Sequence, residues 1–236
     1  MNEKTLILIA TILAVAGGFA ATDRERPLVD CVDPMIGAIT LSGYGGHGLG
    51  KTFPGAATPF GMVQISPDTI TGGDNGPGYS YHHETIEGFS MTHMSGIGWS
   101  GDLGNFQVMP ADGPARFSHS NEVAKAGYYS VTLDDPKVKV ELWAYPWQQG
   151  VYRFTYPKSD KSVLKIDLAR RIGELTRAKK FSRQTLNFEN VCSISGEIVC
   201  DHNKLFRLNL LLVHPVPDCI SAQIHVGGGL EQYQLA

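Results

Sequence analysis

The chain has 236 residues, 42% of them hydrophobic, and a formal net charge of −3. That apolar content supports a packed core and excludes wholesale disorder. Acidic and basic residues are mixed along the chain, which excludes the basic stripe of a nucleic-acid surface and the acidic tail of a solvating segment. With 27 glycines and 13 prolines, the chain favours short strands joined by turns over long helices.

At the N-terminus Lys4 precedes an apolar run from Leu6 to Ala16, followed by Gly17, Gly18, Phe19, Ala20 and Ala21, with charge resuming at Asp23. A basic start, a short apolar stretch and small residues predict a signal peptide over residues 1–21, cleaved near Ala20 or Ala21. The apolar stretch is roughly 15 residues, short of the ~20 needed to span a bilayer. The chain is therefore expected to be exported, periplasmic or extracellular, and free of the membrane after cleavage. Export permits disulfides among Cys31, Cys192, Cys200 and Cys219. Cys192 and Cys200 are placed to face each other across a hairpin, or to remain free; neither spacing matches zinc.

Asp30 to Gly61 reads as a glycine-rich loop segment that needs a scaffold beneath it. A strand is predicted from Gly61 to Ile65, a second glycine-rich loop over Thr71–Gly78, and another strand over Phe106–Met109. Val138, Val140 and Leu142 alternate with Lys137, Lys139 and Glu141, so one face is apolar and the other wet. Tyr128–Leu133 precedes that strand across the turn Asp134-Asp135-Pro136, a hairpin signal. Further strands are predicted over Val151–Tyr156, Val163–Leu168 and Val191–Cys200, with a weak helical pattern between Arg170 and Phe181. The expected fold is all-β: an antiparallel β-sandwich of two packed sheets with long glycine-rich loops.

A set of phrases, in order, resembles the N-terminal domain of glycoside hydrolase family 92. They include Val32-Asp33-Pro34-Met35-Ile36-Gly37, Gly45-Gly46-His47-Gly48, Thr52-Phe53-Pro54-Gly55-Ala56, Pro59-Phe60-Gly61-Met62-Val63-Gln64-Ile65-Ser66-Pro67-Asp68 and Gly78-Tyr79-Ser80-Tyr81. Gly88-Phe89-Ser90-Met91-Thr92-His93-Met94-Ser95-Gly96, Asp102-Leu103-Gly104, Phe117-Ser118-His119 and Gly127-Tyr128-Tyr129-Ser130-Val131 continue it. The resemblance implies a supersandwich of the galactose-mutarotase type, followed in full-length members by a large helical barrel. It implies calcium-dependent, inverting exo-α-mannosidases acting on N-glycans and mannans. In such enzymes the acid, the base and most calcium ligands come from the barrel, while the sandwich supplies loops and an interface for it. On this reading residues 22–203 are the family domain and 204–236 a tail without family phrases, expected to arise from a shifted reading frame or misjoined exon. This chain would then be the carbohydrate-binding half of a mannosidase; a stand-alone binding module and a non-functional truncated product are the alternatives.

Inverting hydrolysis needs two carboxyl groups about 6.5–9.5 Å apart. Asp68, Asp74, Glu84, Glu87 and Asp102 are the candidates, no spacing singles out a pair, and no catalytic residue is assigned. Four residues are expected to meet mannose-containing glycans. His47, between glycines, either hydrogen-bonds a sugar or shapes its loop. His93 either touches substrate or holds neighbouring loops. Trp99, in a loop, offers a stacking face, and Asp102 binds a hydroxyl or turns the backbone. Lys51 and Met91 stand where the family pattern has histidines, and Gly72-Gly73-Asp74 where it has a tryptophan. Trp143 and Trp147 are read as core or sheet-surface residues. No metal ligands are assigned, and His82-His83-Glu84 is rejected as a metal site because adjacent strand residues face opposite ways.

Overall fold

The computed structural model describes residues 26–39, 50–69, 77–95, 103–146, 149–158, 162–167, 170 and 172, together with the backbones of strands over 181–190, 193–200, 204–211, 220–226 and 229–234. Contacts divide the chain into Met1–Cys31 and Val32–Ala236. The first unit contains a 3-10 turn, Leu28–Cys31, whose Cys31 is free and exposed. The signal-peptide residues lie outside the described ones.

The second unit is built of β1 (Ala56–Ala57), β2 (Gln64–Asp68), β3 (Thr85–Ile86), β4 (Gly88–Ser90), β5 (Gln107–Met109), β6 (Ala115–Arg116), β7 (Val123–Lys125) and β8 (Tyr128–Thr132). It continues through β9 (Lys139–Tyr145), β10 (Gln149–Thr155), β11 (Ser162–Asp167), β12 (Phe181–Asn190), β13 (Ser193–Cys200), β14 (Lys204–Leu211), β15 (Ile220–Val226) and β16 (Gly229–Gln234). A 7-stranded sheet runs β1-β2-β4-β5-β11-β15-β16 and a 4-stranded one runs β10-β9-β8-β7. β12-β13-β14 and β3-β6 form two smaller sheets. Pairing is antiparallel except for β11 beside β15.

β1 and β2 pack on β8 and β9, and the core lies between the two large sheets. The alternation read in the sequence is what fills it. Val138, Val140, Leu142 and Ala144 face inward with Tyr129, Val131 and Leu133, against Ile65, Phe89, Ile86 and Tyr79. Complete burial of one such side chain contributes about 1.5–3 kcal/mol, so this seam carries much of the fold.

The wet face of the same strands is organised by one carboxylate. Glu141 stands across from Ser130 and Arg153 in the ladder. It accepts from Arg153 Nε at 2.7 Å, from the Tyr128 hydroxyl at 2.9 Å and from Lys139 Nζ at 3.2 Å, with only 6% of its side chain exposed. The Arg153 guanidinium lies 4.9 Å over the Trp143 ring, which places Trp143 on the sheet surface. Burial by itself raises the Glu141 carboxyl; the donated hydrogen bonds and the nearby cations outweigh it and hold the group below its ordinary value. A carboxyl depressed in the folded state contributes stability that is present above its unfolded value of about 4.3 and is lost as pH falls through the folded value. Denaturant midpoints taken at about pH 7 and about pH 3 should therefore fall further in the wild type than in Glu141→Gln. Equal losses would show that Glu141 contributes nothing to acid sensitivity.

Several expectations are adjusted by the coordinates. The first predicted strand lies later, at Gln64–Asp68, because the chain first makes a tight turn. Gly61 N donates to Thr58 O at 3.0 Å, with Pro59 and Phe60 at the corners and Phe60 at φ 59°. The predicted strand over Phe106–Met109 begins at Gln107, since Phe106 is held at φ 58°. The weak helical pattern is not a helix where it is described: Arg170 and Ile172 are irregular and Phe181 opens β12. Cys192 lies outside the described residues. Cys200 closes β13 opposite Phe181 and Lys204, so no cysteine faces it across either hairpin. The tail beyond Asn203 supplies strands: β14 joins β13, and β15 extends the largest sheet at β11.

Candidate functional site

Three segments outside the described residues, 40–49, 70–76 and 96–102, carry His47, Asp74, Trp99 and Asp102. Their flanking residues meet on one rim of the sandwich. The first segment leaves at Ile39 and returns at Gly50, where Lys51 N donates to Ile39 O and Thr52 N to Gly37 O at 3.1 Å. The second leaves at Thr69, whose N–H donates to Gly78 O at 2.8 Å. The third leaves after Ser95 and returns at Leu103, where Gly104 N donates to Thr92 O at 2.9 Å and Ile172 N donates to Leu103 O at 2.7 Å. Tyr81 N donates to Ala38 O at 3.0 Å, tying the second flank to the first.

Beneath the rim lies a buried polar cluster. His93 has 0% and Asp68 1% of its side chain exposed, with His93 Nε2 2.8 Å from Asp68 Oδ1. His93 Nδ1 is 2.6 Å from Gln64 O. Ser90 Oγ donates to Asp68 Oδ1 at 3.1 Å, and Gln107 Nε2 donates to Asp68 Oδ2 at 2.7 Å. A carbonyl only accepts, so His93 Nδ1 donates to Gln64. A neutral imidazole then has no second N–H for an ionised Asp68. The pair is therefore joined either as imidazolium and carboxylate or as neutral imidazole and carboxylic acid; both hold the same number of protons. Phe53 closes the cluster with its ring centroid 5.5 Å from that of His93.

Glycine is required where the flanks approach this cluster. Gly78 has φ +69°, and a Cβ there would come within 2.9 Å of Asp68 Oδ1 and 3.0 Å of His93 Cδ2. Gly104 has φ +88°, with a Cβ 2.4 Å from Ile172 Cγ1. Both conformations are left-handed and favour glycine. The sequence motifs at these glycines thus reflect close packing of loop bases on Asp68, His93 and Ile172.

Of the four residues expected to meet sugar, the structure places one. His93 lies under the rim, where both ring nitrogens are engaged by protein groups; His47, Trp99 and Asp102 lie outside the described residues. The carboxylates weighed as acid or base divide similarly. Asp68 is buried and bound by His93, Ser90 and Gln107. Glu84 pairs with Arg116 at 2.8 Å on the surface, and Glu87 pairs with Arg170. His83 Nδ1 lies 2.9 Å from Thr69 O, and among the described residues no group of three or more His, Cys, Asp or Glu is arranged to hold a metal ion. Trp147 lies outside the described residues.

A second cluster on this side escaped the sequence reading. Glu122 has 3% of its side chain exposed and accepts from three donors: the Tyr79 hydroxyl at 2.9 Å, the Tyr129 hydroxyl at 2.6 Å and His119 Nδ1 at 2.7 Å. Burial, with the Glu122 carboxylate beside them, pushes both phenols well above their ordinary values, so they stay protonated and donate to Glu122. His119 stacks on Tyr81 with centroids 4.0 Å apart and meets Phe117 edge-on at 5.0 Å. The phrases holding Tyr79, His119 and Tyr129 are visible in the sequence, but nothing there joins them to Glu122.

Residues 31–205 match the family described as the glycosyl hydrolase family 92 N-terminal domain. The family GH92 alpha-mannosidase of Bacteroides thetaiotaomicron superposes with a TM-score of 0.65 at 34% identity, over 76% of this chain and 24% of that one. The same enzyme in complex with mannoimidazole gives a TM-score of 0.63 at 34% identity, over 74% and 23% of the two chains. A protein of Arthroderma benhamiae described as an uncharacterized secreted glycosidase is 25% identical over 155 residues, 59% of this chain and 19% of that protein. The chain thus spans about a quarter or less of the length of these relatives. No helix among the described residues is long and apolar enough to cross a membrane. With the matched residues covering most of its length, and with a sandwich that superposes on a solved member, this chain belongs to the glycosyl hydrolase family 92 N-terminal domain family.

Proposed function

We propose that this chain is the sugar-facing part of an exported hydrolase of α-mannosides in glycans, and that the proton-transferring carboxyl groups come from outside it. The observation that carries this reading is the likeness to an α-mannosidase that has been solved with mannoimidazole, over only 24% of that enzyme's chain. The rim supports it: the described flanks of three glycine-rich segments meet over one buried anchor, the kind of rigid base on which binding residues are carried. In this reading His47, Trp99 and Asp102 contact mannose-containing glycans from those segments, and His93 positions their bases.

The described carboxylates nearest the rim are already committed. Asp68 has three protein donors and no exposed oxygen to offer water or a leaving group. Calcium, which the family resemblance implies for full-length members, finds no matching cluster among the described residues, and no step is assigned to it. In this reading an exposed apolar part of the surface would meet a helical domain. Phe60 is fully exposed (105%) on its strained turn, Met62 is 71% exposed and Ile36 73%. Large apolar side chains left in solvent are what a surface that meets another domain would present. Titration with α-1,2-linked mannobiose tests the reading: millimolar-range binding without release of mannose is expected. Absence of binding by the folded chain would overturn it.

A further inference from the structure

We propose that Tyr81 and His119 form a pyranose-contacting subsite on the rim, with Glu122 beneath them as its positioning residue. The proposal rests on the α-mannoside reading above and names a contact point that reading leaves open.

Tyr81 is 49% exposed, and its ring stacks on His119 at 4.0 Å with an interplanar angle of 17°. His119 is fixed from three sides: Tyr81 over its face, Phe117 against its edge, and Glu122 on Nδ1. With Nδ1 committed to a carboxylate, Nε2 is its remaining polar atom, and it has no hydrogen-bond partner among the described residues. A quarter of the His119 side chain (25%) still reaches solvent. The pair therefore combines a half-exposed aromatic residue with an oriented ring nitrogen at its edge. A pyranose presents the complement, an apolar C–H face bordered by hydroxyls.

Two observations set this apart from ordinary surface packing. Glu122 is a buried carboxylate, and apolar residues of similar volume would serve a merely structural purpose at no desolvation cost. Held by its two tyrosine donors, it instead fixes the imidazole's tautomer and tilt, as carboxylates do for histidines that must present their second nitrogen. Tyr81 is also bonded through its backbone to Ala38, beside the point where the segment holding His47 leaves the sandwich. The rigidity matters because a ring already fixed loses little freedom on binding.

The test is a titration of the whole chain with α-1,2-linked mannobiose, followed by the His119 imidazole resonances and by the affinities of three variants. Wild-type binding should shift the His119 signals. Tyr81→Ala should weaken binding roughly three- to ten-fold, the size of one aromatic contact. Tyr81→Phe, which keeps the ring, should restore it to within about two-fold. Glu122→Gln should weaken binding while leaving Tyr81→Ala with little further effect. Binding with unmoved His119 signals and an unaffected Tyr81→Ala would overturn the subsite and leave the mannoside reading standing. No binding by the folded wild type would overturn both.

Discussion

Asp68→Ala is expected to lower the free energy of unfolding by about 3–5 kcal/mol, because it leaves several buried polar groups without their shared partner. The residue is inaccessible and receives His93 Nε2, Ser90 Oγ and Gln107 Nε2. Each polar group left buried without a partner costs about 1–3 kcal/mol. His93→Ala should cost a comparable amount. The double variant should cost clearly less than the sum, since either single change already breaks the same pair. Guanidinium denaturation of the three variants checks this. A loss under about 1 kcal/mol for Asp68→Ala would mean that the loop bases do not depend on the cluster.

Glu122→Ala has the second-largest expected effect, about 2–4 kcal/mol, for a related reason. Two wholly buried tyrosines direct their hydroxyls at Glu122, and His119 adds a third donor. Alanine strands all three and leaves a cavity. Glu122→Gln keeps a carbonyl acceptor and should recover part of the loss. Equal midpoints for the two variants would contradict a hydrogen-bonding role and point to packing alone. The comparison also separates folding from binding, since Tyr81 lies outside the buried set and its truncation should leave stability nearly unchanged.

The fold was legible where side-chain period and burial agree. Val138, Val140 and Leu142 alternate with polar neighbours because β9 is wet on one face, and the resemblance-bearing phrases coincide with core and rim positions such as Phe89, Ser90 and His93. Legibility failed for β1, β3 and β6, which are two residues long and too short to show a period. It also failed at Phe106, whose positive φ delays the predicted strand, a conformation that side-chain chemistry does not announce. The pairing of β15 with β11 is non-local and left no sequence signature.

The site was partly legible. His93 could be singled out, but its two readings were separable only by burial and partners. Asp68 was one carboxylate among five candidates, and only three-dimensional proximity to Gln107, Ser90 and His93 shows that it anchors loops. Glu122 sits between ordinary residues, Asn121 and Val123, and its donors come from Tyr79, His119 and Tyr129. Such a cluster is long-range, and a local motif cannot encode it.

Incubating the purified chain with α-1,2-linked mannobiose and assaying both ligand binding and free mannose bears most directly on the whole account. Saturable binding with no mannose released is the result predicted by the proposed reading, in which the sandwich would hold the sugar and the acid and base would be supplied from elsewhere. Sustained mannose release by this chain alone, lost on substitution of one of its own carboxylates, would contradict it.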